Sequence, residues 1–179
     1  TLVINGHGFK INCTNESKLF DVKSTGNLTL NNLILLSDYG SNKKIESSFK
    51  NAGCVTLNNV TFITTQTKID EEGFLSASFY NSGTLNIFDS KFVNSTVTTN
   101  RQSYLGLIYN LGTLNIENTI FDNNKLIESS KYASTISATN LISNEKKLLL
   151  NRVTVSNNYM KTPQTILGLI RGVEYSSSD

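Results

Sequence analysis

One histidine and two cysteines in 179 residues leave little material for several kinds of chemistry. A Ser-His-Asp arrangement would have to use His7, and no nucleophile signature surrounds any serine. Metal centres built on His and Cys clusters are excluded by the same scarcity, and no cofactor is expected. Charge of either sign is also sparse. Lys+Arg of 16 against Asp+Glu of 14 leaves +2, and the basic residues are scattered apart from Lys43-Lys44 and Lys146-Lys147. No electrostatic footprint for nucleic acid follows from that distribution. No apolar run approaches the ~20 residues of a membrane span, and the first residues lack the charged and apolar regions of a signal peptide. The hydrophobic fraction of 38% and mean hydropathy of −0.18 are those of an ordinary globular chain.

What the chain has in quantity is repetition. Ile108-Tyr109-Asn110-Leu111-Gly112-Thr113-Leu114-Asn115-Ile116 restates Phe79-Tyr80-Asn81-Ser82-Gly83-Thr84-Leu85-Asn86-Ile87. Aligning on the first aliphatic after the glycine gives Leu2, Leu28, Val55, Leu85, Leu114 and Leu148, at intervals of 26, 27, 30, 29 and 34 residues. A fixed period of this size is the mark of a repeat architecture.

Inside each repeat, apolar residues fall two apart and then five further on, as in Leu28, Leu30 and Leu35, or Leu85, Ile87 and Phe92. Period two predicts strand. The interruption holds Asn31-Asn32, Asn58-Asn59, Phe88-Asp89, Glu117-Asn118 or Asn151-Arg152, and Asn and Asp are turn formers. A further strand ends before the glycine, carrying Phe49, Phe79, Ile108 and Ile142, each followed two residues on by Asn51, Asn81, Asn110 or Asn144. Asn, Ser, Thr and β-branched residues are weak helix formers. A sandwich would have no reason to keep one residue type at one phase. The reading is therefore an all-β, right-handed parallel β-helix of about six coils with three short strands per coil.

Equivalent side chains should then stack into ladders about 4.8 Å apart. The expected inward column is Phe9, Leu35, Phe62, Phe92, Phe121 and Val155, with an asparagine ladder of Asn51, Asn81, Asn110 and Asn144. His7 is expected to align with Leu33, Val60, Ser90 and Thr119. Length variation falls in 37–44, 64–73, 95–103, 124–134 and 158–165, which are read as loops sharing one side of the solenoid. Those loops carry Tyr39, Arg101, Tyr104, Tyr132 and Tyr159, the candidate ligand-binding residues, together with Pro163 and the acidic run Asp70-Glu71-Glu72. That run lacks the spaced oxygen ligands of a calcium loop, so it is read as a solvated charge cluster. Residues 1–179 are expected to form a single domain, a piece of a longer polypeptide whose targeting signals lie elsewhere.

The stretch Gly106 to Ile116 followed by Phe121-Asp122-Asn123-Asn124 resembles repeats of adhesin-like surface proteins of methanogenic archaea and, more distantly, of chlamydial polymorphic membrane proteins. The opening Ile4-Asn5-Gly6-His7-Gly8-Phe9-Lys10-Ile11 likewise resembles a first coil of such domains, within the pectin-lyase-like β-helix class. The resemblance implies an extracellular, cell-surface adhesin whose partner is a glycan or protein of another cell or host, reaching membrane or cell wall only through regions outside this chain.

The same fold class contains polysaccharide lyases and glycoside hydrolases, so an enzyme is the alternative. Gly6-His7-Gly8 is similar to the Gly-His-Gly of polygalacturonases, but the Asp-Asp pair that accompanies it there is nowhere in this chain, and His7 is read as a turn residue. By register, Asp89 and Glu117 fall on adjacent coils, where two carboxylates ~5–9.5 Å apart could act as a glycosidase pair. No neighbouring arginine, tryptophan or third acid is expected to support them, and the bland reading is that both replace Asn in an exposed turn. A third reading is a spacer that holds a functional head away from a surface. Cys13 and Cys54 lie at different phases more than one coil apart, beyond the ~7 Å Cα limit for bridging, so two thiols are expected. The sequons at Asn12, Asn15, Asn27, Asn59 and Asn94 are no more than 24 asparagines and 41 serines and threonines would produce by chance.

Overall fold

The computed structural model describes residues 1–14, 18–38, 47–69, 73–99, 103–129, 138–162 and 166–172. Among the described residues every regular element is a β-strand, and every pairing is parallel, between one coil and the next. The chain is a parallel β-helix. Its first column stacks Leu2, Leu28, Val55, Leu85, Leu114 and Leu148, and two residues on Ile4, Leu30, Leu57, Ile87, Ile116 and Leu150, in the register that the repeat predicts. The four interior rungs are buried, whereas Leu2 is 55% exposed. A solenoid of about four turns thus describes the coils closed by a neighbour on each side, and six also counts the two open rungs.

The second column departs from expectation in the first coil. Ile11, not Phe9, pairs with Leu35, and the stack continues through Phe62, Phe92, Phe121 and Val155. Phe9 is 74% exposed. Leu30 and Leu35 have four residues between them, but Ile4 and Ile11 have six, because Gly6-His7-Gly8-Phe9 inserts a turn. His7 accordingly does not align with Leu33. It takes a left-handed φ of 51°, as Asn32, Asn59, Asp89, Asn118 and Arg152 do at the same bend.

The segments read as loops begin with a strand. Thr96–Thr99, Lys125–Glu128 and Tyr159–Lys161 stack on the end of Cys54–Ile69, with Val97, Leu126 and Met160 in register. Val97 and Leu126 are fully buried, so the later coils have four strands rather than three. The last column runs from Phe20–Val22 through Phe49–Asn51, Gly73–Asn81, Ser103–Asn110 and Ala138–Asn144 to Ile166–Gly172. Its aromatic rungs meet the second column in the interior: Phe49 and Phe79 stack at 4.6 Å, Phe62 and Phe79 lie 4.7 Å apart, and Phe92 and Phe121 stack at 4.8 Å. Each such ring buries a large apolar area, about 1.5–3 kcal/mol per side chain, and offset or tilted pairs add to it.

Polar ladders line the corners. Asn51 Nδ2 donates to Asn81 Oδ1 at 2.8 Å, Asn81 to Asn110 at 2.6 Å and Asn110 to Asn144 at 2.6 Å. The same amides reach the carbonyls of Thr84, Thr113 and Lys147 one coil on, which satisfies buried backbone that the corner would otherwise leave orphaned. Glycine follows at this corner for want of room. A Cβ at Gly83 or Gly112 would fall 2.1 Å from the carbonyl oxygen of the glycine one coil before. At the other bends the inward hydroxyl or amide captures a backbone N–H of the previous coil: Ser90 Oγ accepts from Val60, Ser95 Oγ from Thr64, and Asn124 Oδ1 from Ser95.

Candidate functional site

The left-handed bend residues, being exposed, carry a second set of ladders outside the solenoid. Asn59 Nδ2 donates to Asn32 Oδ1 at 2.8 Å, and Asn123 Nδ2 to Asn94 Oδ1 at 2.7 Å. Asn and Asp tolerate the left-handed backbone, which is why these types recur at the bends. Their side chains then point away from the core with a hydrogen-bonding group on each rung. Asn94 and Asn59, two of the sequon asparagines, are tied into these ladders.

The candidate acid pair is built into the same system. Asp89 is a bend residue, with φ 51°, and accepts from Asn118 Nδ2 at 3.0 Å. Glu117 is one residue out of step with it, being in register with Phe88 and Asn151. Its carboxylate is ion-paired with Arg152, whose Nε also donates to Asn118 Oδ1 at 2.5 Å. The expectation that no arginine stands near these acids is therefore overturned. Arg152 occupies the bend position one coil after Asn118, so its guanidinium reaches back along the outer face. Both acids lie at the surface, each with its own partner, and the network joins three coils.

Two other carboxylates show the effect of such partners. Asp122 accepts from Ser156 Oγ at 2.7 Å and from Asn157 Nδ2 at 2.9 Å, and these bonds hold its pKa below the usual carboxylate range. Asp21 is likewise lowered, first by the hydrogen bond from Lys23 Nζ at 2.9 Å and then by the charges of Lys23, Lys18 and Lys50.

Of the predicted loop-face residues, Tyr39, Arg101 and Tyr132 lie outside the described residues, as does the run Asp70-Glu71-Glu72. Tyr104 is a strand residue in register with Phe74 and Ala138. Tyr159 opens its strand opposite Lys125 and is half exposed. The structure adds a tyrosine pair that lies outside the loop-face set. Tyr80 and Tyr109 stand on adjacent coils with ring centroids 5.7 Å apart, and Tyr109 OH donates to Glu145 Oε1 at 2.5 Å. Both sit one place before a ladder asparagine, a phase that the repeat displays and that could have revealed them. Among the described residues, no group of three or more His, Cys, Asp or Glu is placed to hold a metal ion. Cys13 and Cys54 form no disulfide, Cys13 being in register with Ser37 and Cys54 with Asn27 and Thr84. Comparison of the chain with protein-family models, with characterised proteins and with solved structures returns no match.

Proposed function

We propose that the chain is a non-catalytic, adhesin-like module of an extracellular cell-surface protein, which binds a glycan or a surface protein of another cell. The observation that carries this reading is the fate of the two acids best placed for catalysis. Asp89 holds an asparagine and Glu117 an arginine across neighbouring coils, so both serve as rungs of an outer ladder rather than facing each other across a substrate. The same outer face offers amides and carboxylates at the regular coil spacing, which suits adhesion by many weak polar contacts. The resemblance of the repeats to adhesin-like proteins of methanogenic archaea agrees with it. A glycan-array screen on the purified domain, paired with a reducing-end and unsaturated-product assay on every sugar bound, tests the proposal. Binding without turnover is expected.

One observation favours a second reading, a polysaccharide-degrading enzyme on this fold. Arg152 beside Glu117 supplies the basic partner that a lyase or hydrolase would need. Turnover that is abolished by Glu117→Gln or Asp89→Asn would establish it and remove the adhesin.

A further inference from the structure

The sequons occur in the number that chance supplies, so their placement in the fold has to decide which of them can be used. Asn15 lies outside the described residues. Asn12 and Asn27 are strand residues, in register with Leu36 and Cys54. Asn59 falls within the strand Cys54–Ile69, and its Nδ2 is already bonded to Asn32. Asn94 is the one of these four outside a strand. It forms the bend between Lys91–Val93 and Thr96–Thr99, where it is exposed and has a left-handed φ of 54°.

The outer ladder leaves one atom of Asn94 unused. Along these bends each amide nitrogen donates to the oxygen one coil before it, as Asn59 does to Asn32 and Asn123 to Asn94. Asn94 is the first rung of its ladder. On the coil before it, the strand Cys54–Ile69 runs unbroken through Thr64 and Thr65, so no bend residue stands there to accept. Asn94 Oδ1 is taken by Asn123 at 2.7 Å, while among the described residues Asn94 Nδ2 makes no hydrogen bond. The backbone behind it is anchored. Ser95 is buried, with its N–H on Asn124 Oδ1 and its Oγ accepting from Thr64. Thr65, in register with Thr96 on the preceding coil, is itself exposed, which leaves that side of the bend open.

We propose that Asn94, in Asn94-Ser95-Thr96, is a site of N-linked glycosylation. An acceptor of this kind belongs on a surface turn of a secreted chain, and this is the sequon that the fold puts on one. In the transfer, Nδ2 attacks C1 of an oligosaccharide carried on a lipid diphosphate. The C1–N bond forms, the bond from C1 to the phosphate oxygen breaks, the lipid diphosphate leaves, and one amide hydrogen departs as a proton. The amide oxygen takes no part, so Asn123 keeps its acceptor and the ladder survives. At Asn59 the same reaction would crowd a bulky group between the nitrogen and Asn32. The inference rests on the extracellular placement in the reading above.

The test offers the folded domain to a purified oligosaccharyltransferase with its lipid-diphosphate oligosaccharide and maps the product by glycopeptide mass spectrometry. Separate peptides spanning Asn12, Asn27, Asn59 and Asn94 serve as unfolded acceptors, and all four should be modified. In the domain, Asn94 should be modified and Asn12, Asn27 and Asn59 left bare, with thermal unfolding not lowered by the glycan. Asn94→Gln and Thr96→Ala should each abolish the product, the second by removing only the hydroxyl of the sequon. A bare Asn94 in the folded domain, or modification of Asn12, Asn27 or Asn59 there as readily as of Asn94, overturns the site. Either result leaves the adhesin reading standing, because the glycan-array screen decides that separately.

Discussion

Phe92 shows how much one residue carries. Its ring stacks between Phe62 at 5.6 Å and Phe121 at 4.8 Å and is buried, so neighbours on both coils cannot collapse into the space it leaves. Phe92→Ala should cost about 3–5 kcal/mol in urea titration, and a loss below ~1 kcal/mol would place the ring outside the core. Polar rungs act differently, because their effect depends on protonation. The pKa of Asp122 is lowered in the fold by Ser156 and Asn157, so its contribution is fully present above the ordinary carboxylate pKa, about 4. It is lost as pH falls through the lower value of the folded state. Stability should therefore decline with acidification below about pH 4, and Asp122→Asn should make that decline shallower. An unchanged pH profile in the variant would show that the Ser156 and Asn157 bonds do not act on this carboxylate.

At the scale of elements, each strand depends on its equivalents one coil away. The second-column pairing of Cys13 with Ser37 and the first-column placing of Cys54 against Thr84 put the two thiols on different columns. Cys13 is buried and Cys54 partly exposed. A thiol reagent should consequently modify Cys54 first in the native protein and both in denaturant, without reductant. Modification of neither cysteine in denaturant without reductant would reveal a disulfide and break the register. The strands Thr96–Thr99 and Lys125–Glu128 show where pattern alone fails. Each alternates only one or two apolar residues with polar ones, too short a run for period two to stand out from loop. They become strands because Gln66, Val97, Leu126 and Met160 stack in register, and only the neighbouring coils create that register.

For the molecule as a whole, stability follows from stacking, since a coil buries its apolar face only against its neighbours. The interior rungs Val55, Leu85 and Leu114 are fully buried, while Leu2 and Ile170 on the outer coils are exposed. Amide hydrogen exchange should proceed inward from both ends, with the slowest amides in Cys54–Ile69, Thr84–Phe88 and Thr113–Glu117. Uniform protection from the first rung to the last would contradict this gradient. Open strand edges at the ends would also accept another strand.

The sequence determined the period, the parallel stacking, the aliphatic columns and the asparagine ladder, because a residue repeated at one phase must meet its own kind on the next coil. It did not determine the path of the chain where the period breaks. Ile11 in place of Phe9 was decided by a two-residue insertion that only the packing of Gly6 on Leu33 makes visible. The partnering of Glu117 with Arg152 was decided likewise in three dimensions, since a long guanidinium arm crosses coils that spacing alone keeps apart.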